Sequence, residues 1–121
     1  MRVKNIFIKE TSDNLAVLEE ELTKPVNLSK EAIEMVVRTM HNIKGTAPMV
    51  GFTALPEIAT PVEQAYKEVL DNKLVVSNHM VEKTKTAVSV IQQLLVSEES
   101  YTPQTEEEQQ LLIDYFNTIT G

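Results

Sequence analysis

The chain has 121 residues, 42% apolar, 24% charged and 5% aromatic, the balance of one ordinary globular domain. Eleven basic against 18 acidic residues give a net charge of −7, which argues against nucleic-acid binding, where phosphates require a basic surface. There is no cysteine, so disulfides, thiolate catalysis and cysteine-based zinc sites are excluded, and three glycines with five prolines favour helices over turn-rich β-structure.

Breakers divide the chain into five segments, each with helical periodicity. The first helix is predicted over about residues 4–23, with Ile8, Leu15, Leu18 and Leu22 inward, and Pro25 stops it. The second starts at an Asn27 or Ser29 cap and presents Ile33, Val36, Val37, Met40, Ile43 and Ala47. The third spans roughly 54–72, with Leu55, Ile58, Ala59, Val62, Ala65, Tyr66 and Val69 on its apolar face. The fourth runs from a Ser77 cap to about Val96 and carries Met80, Val81, Thr84, Ala87, Val88, Ile91, Leu94 and Leu95. The last covers about 105–120, opens on a Thr105–Glu108 capping box, and turns Leu112, Tyr115, Phe116 and Ile119 inward.

Single apolar stripes on four long helices are buried most simply in an all-α, antiparallel four-helix bundle (up-down-up-down) over about 4–96. The fifth is an additional C-terminal helix of the same single domain, 1–121. No apolar run approaches the roughly 18 residues of a membrane span. The first ten residues lack the basic-then-apolar order of a signal peptide, so a cytoplasmic location without membrane insertion is expected.

Two histidines are present. His79 reads as a surface residue at the start of the fourth helix. His41 follows the stripe residue Met40, so it stands about 100° off the core face, at the edge of solvent. Glu34, Arg38 and Lys44 share its side of the helix at spacings of seven and three. Gly45 follows one turn later, where glycine costs about 1 kcal/mol relative to alanine. A bare backbone beside an exposed imidazole would admit another protein closely, and Lys44 would set a cation beside an anion carried on that ring. A rim histidine with a lysine at i+3 is also a common, functionless helix pattern. A metal site lacks a second ligand at i+3 or i+4, and neither G-x-G nor a P-loop occurs.

The stretch His41-Asn-Ile-Lys44-Gly45-Thr-Ala-Pro-Met-Val-Gly51-Phe52 resembles the phosphoacceptor motif of histidine phosphotransfer (HPt) domains: histidine, Lys-Gly at +3 and +4, and glycine at +10. With Phe52, Thr53, Leu55 and Glu63 it is most similar to the N-terminal phosphotransfer domain of CheA-type chemotaxis histidine kinases. The resemblance implies that His41 takes a phosphoryl group on Nε2 from a kinase ATP-binding domain and passes it to an aspartate of a response-regulator receiver domain. It implies that Glu63 orients the ring through Nδ1–H, that Lys44 stabilises the phosphoryl oxygens, and that Gly45 and Arg38 belong to the docking surface. The chain would bind no cofactor itself, with ATP and Mg²⁺ supplied by the partners, and would have no complete activity alone; it would be either one domain of a larger histidine kinase, a transferase, which Glu63, Phe52 and the fifth helix favour, or an independent phosphorelay protein. Gly51 reads as a helix end or turn.

Three features depart from the pattern. Pro48 must end or kink the second helix, and Pro56 fits the first turn of the third. Pro61, two residues before Glu63, threatens to bend the third helix and disturb the His41–Glu63 pair. Thr60 stands where many chemotaxis kinases carry a second histidine. The alternative is therefore a non-phosphorylated HPt-like scaffold that docks receivers. Charge is distributed consistently with phosphotransfer: residues 29–52 carry three basic and two acidic groups and form the one positive segment.

Overall fold

The computed structural model describes residues 2–23, 29–96 and 103–120, with side chains described over 5–23, 29–95 and 106–120. Its elements are α1 (Arg2–Leu22), α2 (Lys30–Thr46), a single 3₁₀ turn (Ala47–Val50), α3 (Leu55–Leu70), α4 (Asn78–Val96) and α5 (Pro103–Ile119). Among the described residues there is no strand. No described helix is long and apolar enough to cross a membrane.

The helix starts follow from short polar side chains. Ser29 accepts the Ala32 N–H at 3.1 Å and caps α2, while Ser77 accepts the Met80 N–H at 3.1 Å and caps α4. Asn27, the other candidate for the α2 cap, lies outside the described residues, as do Pro25 and the connection 97–102. α3 ends where Asn72 takes the left-handed conformation (φ 63°), and Lys73 and Asn72 donate back to the carbonyls of Glu68 and Val69. The capping box expected at Thr105 is displaced. α5 already begins at Pro103, a residue suited to a first turn because its missing N–H has no intrahelical partner there, and Thr105 falls inside that turn.

Each of α1 to α4 packs on its neighbours in the chain, and α4 closes the ring on α1. α2 and α3 form the most extensive pair, and α5 lies against α3 and α4. The core is filled by Leu15, Leu18, Val36, Met40, Ile43, Leu55, Ile58, Val62, Tyr66, Met80, Ile91, Leu94 and Phe116, all essentially inaccessible. Each large side chain buried this way contributes about 1.5–3 kcal/mol relative to exposure. On α1 the inward residue of the first turns is Phe7, with Thr11 one turn on; Ile8, the residue chosen from spacing, is only partly buried.

α2 gives way to the 3₁₀ turn at Ala47, one residue before Pro48, as the proline ring requires. Gly51 then adopts φ 95° and donates to Pro48 O, and Phe52 donates to Ala47 O at 2.9 Å. This left-handed step sends Phe52 into the core, with its ring centroid 5.8 Å from that of Phe7. Gly51 is therefore a turn residue. Pro61 does not break α3, which runs through it from Leu55 to Leu70 with the proline buried. Pro56 sits in the first turn.

Between α3 and α4 the core is polar at one point. Thr84 donates its hydroxyl to Met80 O at 2.8 Å, so the 2.7 Å contact between the Tyr66 and Thr84 hydroxyls requires Tyr66 to be the donor. Burial pushes the Tyr66 phenol up to about 12. α5 is anchored by Leu112 and Phe116 and by buried Gln109, whose Nε2 reaches Ala54 O at 3.3 Å and Glu57 Oε2 at 3.4 Å. His79 is exposed, as expected, with its ring edge-on to Tyr115 at 5.0 Å.

Candidate functional site

The tight α2–α3 pair brings two helical faces together. His41 and Lys44, three residues apart, share a face of α2; Glu63 and Lys67, four apart, share a face of α3. Glu63 is the centre. Its side chain is 3% exposed, and three groups converge on its carboxylate. His41 Nδ1 lies 2.8 Å from Oε2, Lys44 Nζ lies 2.7 Å from Oε1, and Lys67 Nζ lies 3.4 Å from Oε2.

Burial by itself pushes the Glu63 carboxyl up. The hydrogen bonds from Lys44 and His41, with the charges of Lys44 and Lys67, outweigh that and hold it below the usual carboxylate range. At neutral pH Glu63 is therefore an anion with acceptors only. That settles the tautomer of a neutral His41: the nitrogen 2.8 Å from an acceptor-only oxygen must carry the hydrogen, so Nδ1 is protonated and the lone pair resides on Nε2. The imidazole side chain remains 64% exposed, so a ring tethered at one nitrogen stands open to solvent. The arrangement provides an oriented nucleophile with a buried anion behind it and two ammonium groups beside that anion.

Glu63 follows the stripe residue Val62 as His41 follows Met40, a spacing that by itself puts it at a helix rim. The structure instead buries it, because the close approach of α2 covers the α3 position next to Val62. The bend expected from Pro61 does not prevent the His41–Glu63 contact. Lys44, expected to be held for phosphoryl oxygens, is engaged with Glu63 at 2.7 Å, although its side chain is still 37% exposed. Gly45 is exposed, and a β-carbon added there would meet nothing within 4 Å. Arg38, one turn before His41, is exposed on α2. Lys67 was not singled out from the sequence; its i+4 spacing from Glu63 was the available signal. Among the described residues no group of three His, Asp or Glu side chains could hold a metal ion.

The Hpt domain family model matches residues 2–97. The chain belongs to the Hpt domain family. Hpt domains of this kind are helical phosphotransfer domains of two-component signalling, and the match ends just before α5, which lies outside it. Among curated proteins, this Hpt domain is 26% identical over 95 residues to the chemotaxis protein CheA of Listeria monocytogenes and, equally, to that of Listeria innocua. In each case the alignment covers 75% of this chain and 15% of the relative, so the Hpt domain spans a small part of the length of these proteins. No solved structure matches it significantly.

Proposed function

We infer that His41 is the phosphoacceptor, taking its group from a kinase ATP-binding domain and passing it to an aspartate of a receiver domain, within a chemotaxis-type histidine kinase. The observation that carries this reading is the 2.8 Å contact of Nδ1 with Glu63, which leaves the Nε2 lone pair facing outward. Nε2 attacks the γ-phosphorus of ATP, an N–P bond forms, the bond from phosphorus to the bridging oxygen breaks, and ADP leaves. The Nδ1 proton stays on the ring, and its hydrogen bond to Glu63 strengthens as the ring gains positive charge. In the second step a receiver carboxylate oxygen attacks the same phosphorus and neutral His41 is the leaving group.

Lys44 is the positioning cation for the phosphoryl oxygens. Its half-exposed ammonium can turn from Glu63 Oε1 toward an anion on the ring. Gly45 and Arg38 belong to the docking face. ATP and Mg²⁺ come with the kinase and receiver partners, not with this chain.

The test is incubation with a CheA-type ATP-binding domain and γ-labelled ATP. The expected result is an acid-labile label on the parent that is absent from His41→Gln and moves to a receiver domain on its addition. An unlabelled parent, with the same kinase domain active on another Hpt domain, would overturn the reading in favour of a docking scaffold.

A further inference from the structure

Glu63 Oε2 is shared. It accepts from His41 Nδ1 at 2.8 Å and is also 3.4 Å from Lys67 Nζ, whereas Lys44 occupies Oε1. The basicity that Glu63 can pass to the imidazole depends on the charge left on Oε2, and a cation on that oxygen withdraws part of it. Through the shared oxygen, the Lys67 ammonium is no more than about 6 Å from Nδ1, a distance at which a unit charge still matters even in a water-like medium. We propose that Lys67 is a positioning residue that damps the Glu63–His41 couple, making His41 a slower phosphoryl acceptor and a better phosphoryl donor. The proposal rests on His41 as the phosphoacceptor and assigns this property to a residue on the opposite helix.

The direction follows from the two half-reactions. In the first, Nε2 is the nucleophile, and a less basic ring attacks more slowly. In the second, the ring is the leaving group, and a less basic ring departs more readily. Lys44 is the stronger cation on the carboxylate as a whole, and Lys67 adds to it as the cation that shares Oε2 with His41. The 3₁₀ turn against α2 and α3 is Ala-Pro-Met-Val and carries no titratable side chain. From α2 the charged partner on the carboxylate is Lys44, which sits on the other oxygen, and Arg38 lies three residues before His41 on the exposed side. Among the described residues no ion pair from α4 or α5 reaches Glu63, and the Glu57 carboxylate at the α5 contact is met by Gln109. Lys67 is half exposed, so its contribution is screened and moderate.

The experiment compares the full chain with Lys67→Met and Lys67→Arg by two readouts. The first is the ¹⁵N resonances of the His41 ring, detected through its carbon-bound protons, with His79 as internal reference. The second is the rate of phosphorylation by phosphoramidate, a donor that needs no kinase. There Nε2 forms the new N–P bond, the donor's N–P bond breaks, and ammonia leaves with the donor's own protons. In Lys67→Met the Nδ1 resonance is expected to move downfield, toward a stronger N–H···O bond. Labelling should rise about two- to threefold, and transfer from phosphorylated His41 to a receiver should fall by a similar factor. Lys67→Arg, which keeps the charge, should stay at the parent values. An unmoved Nδ1 resonance in Lys67→Met, or equal shifts in the Met and Arg variants, would overturn the proposal and leave Lys67 as a helix-surface ion pair. A parent that takes no label would overturn His41 as phosphoacceptor instead, while the ring resonances still report whether Lys67 acts on His41.

Discussion

Glu63→Gln is the most informative substitution, because it changes charge and hydrogen-bond polarity with almost no change in shape. Lys44 lies 2.7 Å from Oε1 and can only donate, so the amide oxygen must take that position. The amide NH₂ is thereby placed where Oε2 stood, 2.8 Å from His41 Nδ1. A donor facing Nδ1 requires Nδ1 to be the acceptor, which moves the ring proton to Nε2, the atom that must attack. Restoring the productive tautomer sets two donors against each other and forfeits one hydrogen bond, a cost of about 1–3 kcal/mol. The ring is 64% exposed and water can compete, so the lower half of that range applies, or roughly five- to thirtyfold in rate at 1.36 kcal/mol per decade. Stability should fall by about 1–2 kcal/mol, since a buried carboxylate loses charge-assisted bonds while its half-exposed lysine partners regain water. The assay is the initial rate of acid-labile labelling by the kinase domain, with urea unfolding at pH 7 as control. A folded Glu63→Gln protein that labels as fast as the parent would refute the claim that Glu63 sets the tautomer.

Further predictions follow from the same geometry. Lys44→Ala should slow labelling while lowering stability by less than about 1 kcal/mol, because it removes a half-exposed charge and no core volume; a large fall in Tm would show that Lys44 is structural. Gly45→Ala should raise stability by about 0.5–1 kcal/mol, since the added carbon meets nothing and the backbone is helical, yet should slow phosphotransfer to protein partners; stabilisation with unchanged transfer would remove Gly45 from the docking face. Gly51→Ala, at φ 95°, should destabilise by about 1 kcal/mol or more in urea titrations. The folded Glu63 carboxyl is held below its unfolded value, so its contribution is present above the unfolded value and is lost as pH falls through the folded one. Acid unfolding should therefore be less steep in Glu63→Gln. The folded Tyr66 phenol is raised, so stability should decline as pH rises from about 10 toward 12, and Tyr66→Phe should abolish that slope.

Much of the fold was legible before the structure. Helical periodicity and the serine caps at Ser29 and Ser77 located the start of α2 and both ends of α3 and α4 to within two residues, because those signals are local and follow from backbone hydrogen bonding. The same holds for Pro48 ending α2 and Gly51 turning the chain, where a missing N–H and a positive φ act within a few residues. The errors lie where local rules are degenerate. Phe7 and Ile8 are adjacent and both apolar, and only the position of Phe52 decides that the ring at Phe7 faces the core. At Thr105 a capping pattern was present, but the packing of α5 on α3 accommodates an earlier start.

The site divides the same way. His41, Lys44 and Gly45 lie within one turn and a half of one helix, so their spacing alone places them on a common face. Nothing local could say that Glu63 would be buried, that both of its oxygens would be occupied, or that Lys67 would join His41 on one of them. Those facts depend on the rotation and approach of α3 against α2, a packing outcome spread over the whole interface. By itself the sequence determined which helices form and which carries the imidazole. The tertiary structure decided the protonation partner of that imidazole, because a carboxylate becomes a buried, acceptor-only anion only when a second helix closes over it.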